Sequence, residues 1–254
     1  MHTYRAHPDI SVLADYLEVP GIGFLAVNAF VIHAAQPVVV DTGLGLPDRD
    51  FATALAAVLD LADVRWVWLT HPDRDHTGGL FALLDAAPQA RVVTTFAGAG
   101  IMSAERPLPM DRVYLLNPGQ SLDAGDRRLT GFRPPLFDNP ATVGVLDTSN
   151  GVCLSSDCFG APLLTAALAT AENAAEVRQH YPVRHSARRA RRLPVHRSRP
   201  GRARGDARRN PRGAEPVPAR LAKEAKSADL SPGFRCYGDE NPGQIKRGRF
   251  CAVA

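Results

Sequence analysis

Four side chains that can bind metal ions fall within six positions, His71, Asp73, Asp75 and His76, in the run Thr70-His71-Pro72-Asp73-Arg74-Asp75-His76-Thr77-Gly78-Gly79. Imidazoles suit borderline divalent ions and carboxylates suit harder ones. A loop turning over this stretch can therefore aim alternate side chains at two neighbouring ions. Without cations Asp73 and Asp75 repel one another, and burying either charge unpaired is costly. The plainer use of such residues is a solvated turn capping the helix that begins at Leu80, and a lone His-x-x-x-x-His would favour it. The strand before this run and the Gly-Gly-helix after it favour metal binding.

The elements that must position these residues are legible as an alternation of strands and helices. Ile22 to His33 is rich in β-branched and aromatic residues, and a Gln36-Pro37 break leads into Val38-Val39-Val40 and the loop Asp41-Thr42-Gly43. Phe51, Leu55, Val58 and Leu59 share one helical face, with Asp48 or Asp50 placed to cap it. Trp66 to Thr70 is a short buried strand running into the His/Asp segment. A helix over Leu80 to Ala86 ends at Pro88, and Arg91 to Thr95 is a further strand. From Arg112 onward, short apolar runs separated by turn residues predict more strands, the last being Thr142 to Leu146 and Val152 to Ser155. This order predicts an α/β sandwich with ligands on loops at strand ends.

With these motifs in place, the sequence resembles the metallo-β-lactamase superfamily. The signature of that family is a strand ending in Asp-Thr-Gly, as at Asp41-Thr42-Gly43, and then Thr-His-x-His-x-Asp-His-x-Gly-Gly, as at Thr70 to Gly79 except at one position. A lone Asp farther on bridges the metals, as does Asp157 in Ser155-Ser156-Asp157. The resemblance covers about the first 165 residues. It implies an αββα sandwich with a dinuclear site between the sheets and a metal-bound hydroxide that attacks substrate.

Where most members carry the second His of His-x-His, this chain has Asp73. That resembles the flavodiiron and oxygen-binding diiron branch, which carries Glu there and uses iron. Ser155-Ser156-Asp157-Cys158-Phe159-Gly160 is also close to the Ser-x-Asp-x-Phe-Gly of that branch. A His-Trp-Pro segment of the branch aligns with Asp138-Asn139-Pro140, so Asp138 stands where a His ligand would be. The alternatives for Asp138, ligand or turn residue before Pro140, are evenly balanced on turn chemistry.

The ligand set so implied is His71, Asp73 and Asp138 on the first metal, Asp75 and His76 on the second, and Asp157 between them. Four carboxylates and two imidazoles favour iron or manganese over zinc. A metal-bound water of lowered pKa would be the nucleophile, with Asp75 accepting its proton. Asp41 is expected to order the neighbouring loops rather than bind metal. His2, His7 and His33 are isolated and carry no assignment.

The net charge of +4 is the sum of two opposite parts. Residues 1–177 hold 10 Arg, no Lys and 20 acids, giving −10, and residues 178–254 hold 20 bases against 6 acids, giving +14. The second part has few aliphatic residues, is broken by Pro and Gly, and is expected to be disordered. Between Arg178 and Arg220 there are 14 Arg and no Lys. An Arg-rich arm on nucleic acid would more often mix the two and interleave aromatics, so a reading-frame shift near Glu176 is the favoured explanation. Members of the resembled family supply a last His from their C-terminal half, and His180, His185 and His196 lie among arginines. A domain cut short in this way would leave an apolar sheet face uncovered.

The four cysteines form no Cys-x-x-Cys, which argues against a disulfide framework or thiolate zinc site. The N-terminal residues lack the apolar run of a signal peptide, and the region Gly21 to Val40 is too short and polar to span a bilayer, so a cytoplasmic setting is expected. The leading expectation is a metallo-β-lactamase-fold domain over 1–177, its C-terminal half missing or scrambled, that hydrolyses a small-molecule substrate with two divalent ions (zinc or iron, with manganese a third choice). A diiron protein handling oxygen or nitric oxide is the principal rival, and it would draw electrons from an external donor. Nucleic-acid binding through residues 178–254 ranks third, no membrane partner is expected, and homodimerisation is left open.

Overall fold

Alternating apolar side chains build the first three strands, β1 (His2–His7), β2 (Ile10–Val19) and β3 (Gly23–Ile32), into an antiparallel meander. The computed structural model describes residues 1–158 and 160–170 and the backbone of 251–252. Four shorter strands continue the sheet: β4 (Val38–Val40), β5 (Trp66–Trp68), β6 (Arg91–Thr94) and β7 (Val113–Leu115). β4 is antiparallel to β3, and β4 to β7 run parallel, giving seven strands in sequence order. The parallel strands read as unbroken runs because both of their faces are covered.

The helices α1 (Phe51–Ala56), α2 (Arg74–Thr77), α3 (Leu80–Ala86) and α4 (Phe96–Glu105) lie in the connections of the parallel strands. Asp50, rather than Asp48, caps α1 by accepting from the Thr53 N–H. Phe51, Leu55, Leu80, Leu83, Leu84, Ala99 and Met102 pack on Leu13, Val31, Val39, Val67 and Val92 across one face of the sheet. The loss of any one of these buried Leu side chains to Ala would cost about 2–5 kcal/mol.

A second sheet faces the other side. It contains β8 (Ser121–Asp123), β9 (Arg128–Phe132), β10 (Gly144–Asp147) and β11 (Val152–Leu154), with β12 (Cys251–Ala252) added in parallel to β11. Leu122, Leu129, Val145, Val152 and Leu154 meet Ile10, Val12, Phe30, Ile32, Val40, Trp68 and Val93 in the core between the sheets. Trp68 is fully buried there and donates its indole N–H to Val143 O at 3.3 Å. β8 to β11 thus cover the inner face of the first sheet.

Two elements departed from expectation. The hairpin of β1 and β2 is obscured in sequence by the polar segment His2 to Asp9, an edge strand half exposed to solvent. In α4, Gly98 and Gly100 weaken the helical signal, while Thr95 caps it by accepting from Gly98 N–H. Past β11, α5 (Ala166–Ala169) follows Leu163, which pairs with Phe24 and packs with Ala169 against Tyr16, Phe24 and Ala26. Among the described residues no helix is long and apolar enough to cross a membrane. Phe159 and, apart from the two residues of β12, the whole of 178–254 lie outside the described residues, and with them the expectations placed there (the disordered tail, the frame shift, nucleic-acid contact, and a ligand among His180, His185 and His196).

Candidate metal centre

The site forms where the ends of β4, β5 and β11 meet the loop between β9 and β10. Its floor is a seam of main chain. Thr42 N donates to His76 O at 2.7 Å, Gly78 N to Gly43 O at 2.9 Å and Gly79 N to Thr42 O at 3.1 Å. The seam explains the Gly-Gly pair, since a Cβ on Gly78 would collide with the Leu44 and Gly45 backbone, and one on Gly79 would stand 2.6 Å from Thr42 O. Val143 N donates to Thr70 O at 2.7 Å and so ties the second sheet to the same loop.

On this floor His71 and His76 are buried with ring centroids 3.9 Å apart. Asp157 divides its carboxylate between them, with Oδ1 3.0 Å from His76 Nε2 and Oδ2 3.4 Å from His71 Nε2. Asp73 Oδ2 lies 3.5 Å from His71 Nε2, and Asp75 Oδ2 lies 3.6 Å from His76 Nε2. The donor atoms of His71, Asp75 and His76 lie within 4.8 Å of one another, as do those of His71, Asp138 and Asp157. All six residues singled out in the sequence are thus brought together. Asp73 belongs to neither mutual group and joins through His71.

The competing structural uses of these residues are not realised. Asp73 stands at the N-terminus of α2 but makes no side-chain capping bond. The turn before Pro140 is closed by Asn139, whose Oδ1 accepts from Ala141 N at 2.9 Å, and Asp138 is left to face the site. Asp41 holds no place among the clustered donors. Fully buried, it accepts from Thr70 N and Thr70 Oγ1, both at 2.7 Å, and from His76 Nδ1 at 2.9 Å.

Burial alone would depress the pKa of His76, but Asp41 and Asp157 hold it well above the ordinary imidazole value. Burial would raise Asp157, yet the hydrogen bond and charge of His76, then the charge of His71, keep it below the usual carboxylate range. Such a pairing of imidazolium with carboxylate marks a place where a cation can displace a proton. The residues fit a metal on a further ground: His71 Nε2 is buried and has no hydrogen-bond partner, although the carboxylates of Asp73 and Asp157 lie 3.5 and 3.4 Å away. A buried imidazole nitrogen set among carboxylates in this way has the donor chemistry of a metal ligand.

Sequence reasoning missed Ser156 and Asn139. Ser156 Oγ lies 3.2 Å from His71 Nδ1, and Asn139 Nδ2 donates to Asp73 Oδ1 at 3.0 Å. The only advance signal was their place beside the candidate ligands Asp157 and Asp138.

A model of the metallo-beta-lactamase superfamily matches residues 22–197. The chain belongs to the metallo-β-lactamase superfamily. Relatives within it include the anaerobic nitric oxide reductase flavorubredoxin of Aeromonas hydrophila, 28% identical over 134 residues, which are 52% of this chain and 27% of that protein. The protein of the same name from Salmonella typhi is 26% identical over 134 residues, 52% of this chain and 28% of that protein. The chain thus spans about a quarter of the length of these relatives.

Solved structures of the same fold include the rubredoxin oxygen:oxidoreductase of Desulfovibrio gigas, at TM-score 0.55 and 18% identity over 61% of this chain and 41% of that one. The flavodiiron protein of Giardia intestinalis superposes at TM-score 0.55 and 16% identity, over 63% and 41% of the two chains. The metallo-β-lactamase fold expected from the sequence is therefore shown. The expectation of hydrolysis gains no support from these relatives, which carry the names of nitric oxide and oxygen reductases and of flavodiiron proteins.

Proposed function

We propose that this metallo-β-lactamase domain holds two iron ions and binds or reduces oxygen or nitric oxide. The observation that carries the reading is the donor set, four carboxylates and two imidazoles converging where His71 Nε2 is left without a partner. Oxygen-rich sites of this kind favour iron over zinc, and relatives bear the name of nitric oxide reductases. His71, Asp73 and Asp138 would hold one ion, Asp75 and His76 the other, with Asp157 between. Bound there, an iron pair would supply redox chemistry toward a diatomic gas.

The chain's own residues perform the remaining tasks. Asp41 fixes His76 with Nδ1 toward it and Nε2 toward the ligands. Asn139 holds Asp73 by donating to its Oδ1. Asp75, with its side chain 35% exposed, stands between His76 and solvent and can hold a proton at Oδ2.

The test is metal analysis with optical spectroscopy on the full chain loaded anaerobically with ferrous ion. Two irons per chain, with near-ultraviolet bands appearing on exposure to oxygen, are expected. A colourless protein that retains zinc in preference to iron would overturn the proposal.

A further inference from the structure

Both ligand histidines are connected, through groups that lie outside the ligand set, to one carboxylate. His76 Nδ1 is 2.9 Å from Asp41 Oδ2 directly. His71 Nδ1 is 3.2 Å from Ser156 Oγ, Ser156 Oγ is 3.0 Å from Thr70 Oγ1, and Thr70 Oγ1 is 2.7 Å from Asp41 Oδ2. Every member of this chain is buried.

Thr70 Oγ1 donates toward both Asp41 Oδ2 and Ser156 Oγ, and so joins the carboxylate to the second hydroxyl. Ser156 Oγ in turn holds Nδ1 of His71, which leaves Nε2, the buried atom with no hydrogen-bond partner, directed at Asp73 and Asp157. Asp41 holds Nδ1 of His76 and turns its Nε2 to Asp75 and Asp157.

We infer that Asp41, acting through the Thr70–Ser156 hydroxyl pair, sets the orientation of His71 as well as of His76, so that one carboxylate prepares both halves of the metal site. The backbone offers independent support. Asp41 (φ 60°) and Ser156 (φ 55°), the two ends of the relay, are the only non-glycine residues of positive φ among the described residues. Each such conformation costs on the order of 1 kcal/mol or more. Strain held at both ends of one hydrogen-bonded path is what a positioning role requires.

The inference rests on the proposed metal site but not on iron or on gas chemistry, so cobalt(II) is a sufficient probe. The full chain and its Asp41→Asn, Ser156→Gly, Thr70→Val and Thr70→Ser variants would be titrated with cobalt, and the imidazole Nδ1–H resonances followed by proton NMR. In the unsubstituted protein both are expected to be displaced by cobalt and to exchange slowly with solvent. Ser156→Gly, which suits a positive φ while removing the hydroxyl, should lose the His71 resonance alone, with affinity lowered about 10–100-fold. Thr70→Val should do the same and Thr70→Ser should restore it. Asp41→Asn should disturb both resonances although Asp41 touches only His76 of the pair.

An Asp41→Asn protein altered at His76 alone, or a Ser156→Gly protein with both resonances and affinity intact, would overturn the relay. If the unsubstituted protein takes up no cobalt, relay and metal site fall together. Cobalt uptake without iron-dependent gas chemistry would overturn the proposed function and leave the relay standing.

Discussion

Asn139 reaches from the β9–β10 loop to Asp73 in the loop after β5, its Nδ2 donating to Oδ1 at 3.0 Å while its Oδ1 caps Ala141 N at 2.9 Å. One amide thus both closes a turn of the second sheet and holds the proposed ligand Asp73 carried by the first. Asn139→Asp keeps the turn, because the carboxylate still accepts from Ala141, but sets a negative charge against Asp73. Metal affinity, read by competition with a chelator, should fall about 10–100-fold with little change in Tm. Unchanged affinity would show that Asp73 needs no such support.

The close approach of Gly45 and Gly78 yields a second prediction. Gly45 has φ +62°, and a Cβ there would strike the Gly78 carbonyl and Cα. Gly45→Ala should therefore add left-handed strain to a backbone collision, costing about 2–4 kcal/mol in chemical denaturation. Gly100→Ala, where a Cβ meets nothing within 4 Å and the residue is helical, should be neutral or stabilising. Equal effects at the two positions would refute the close-packing account of the seam.

A third prediction concerns acid stability at the opposite side of the sandwich. Arg127 pairs with Asp126 at 2.9 Å and with Asp9 and Asp147 at 3.2 Å, which links the β1–β2 turn to the second sheet. The hydrogen bond from Arg127, then that from Ala35 N–H, pulls the Asp126 carboxyl down to about 2. A depressed carboxylate contributes stability above its unfolded pKa of about 4 and loses it as pH falls toward 2. Asp126 is exposed, so screening holds the contribution below about 1 kcal/mol. Asp126→Asn should flatten the Tm profile between about pH 4 and 2, and a profile as steep as that of the unsubstituted protein would contradict the pairing.

How much of this could be read from the residues depended on how far along the chain each interaction reaches. His71 to His76 was legible because four candidate ligands share one turn between a strand and a Gly-Gly step. Asp138 and Asp157 could be placed only by resemblance, since nothing local separates a ligand Asp from a turn Asp. Ser156 and Asn139 were illegible: a hydroxyl or amide acquires its role from a partner 85 or 66 residues away. The strands β3 to β6 were legible in β-branched and aromatic runs, α1 in the spacing of Phe51, Leu55, Val58 and Leu59, and α3 in its stop at Pro88. The edge hairpin β1–β2 and the glycine-bearing α4 depend on tertiary burial, which overrides weak local preference.

The main-chain seam between Thr42–Gly45 and His76–Gly79 has a consequence for how such a centre can change. Because those hydrogen bonds involve peptide groups only, the backbone that carries His76 is held whatever side chain stands there. The placement of that donor is thereby decoupled from its chemical identity, so the proposed centre could be re-tuned at this position without the scaffold being rebuilt.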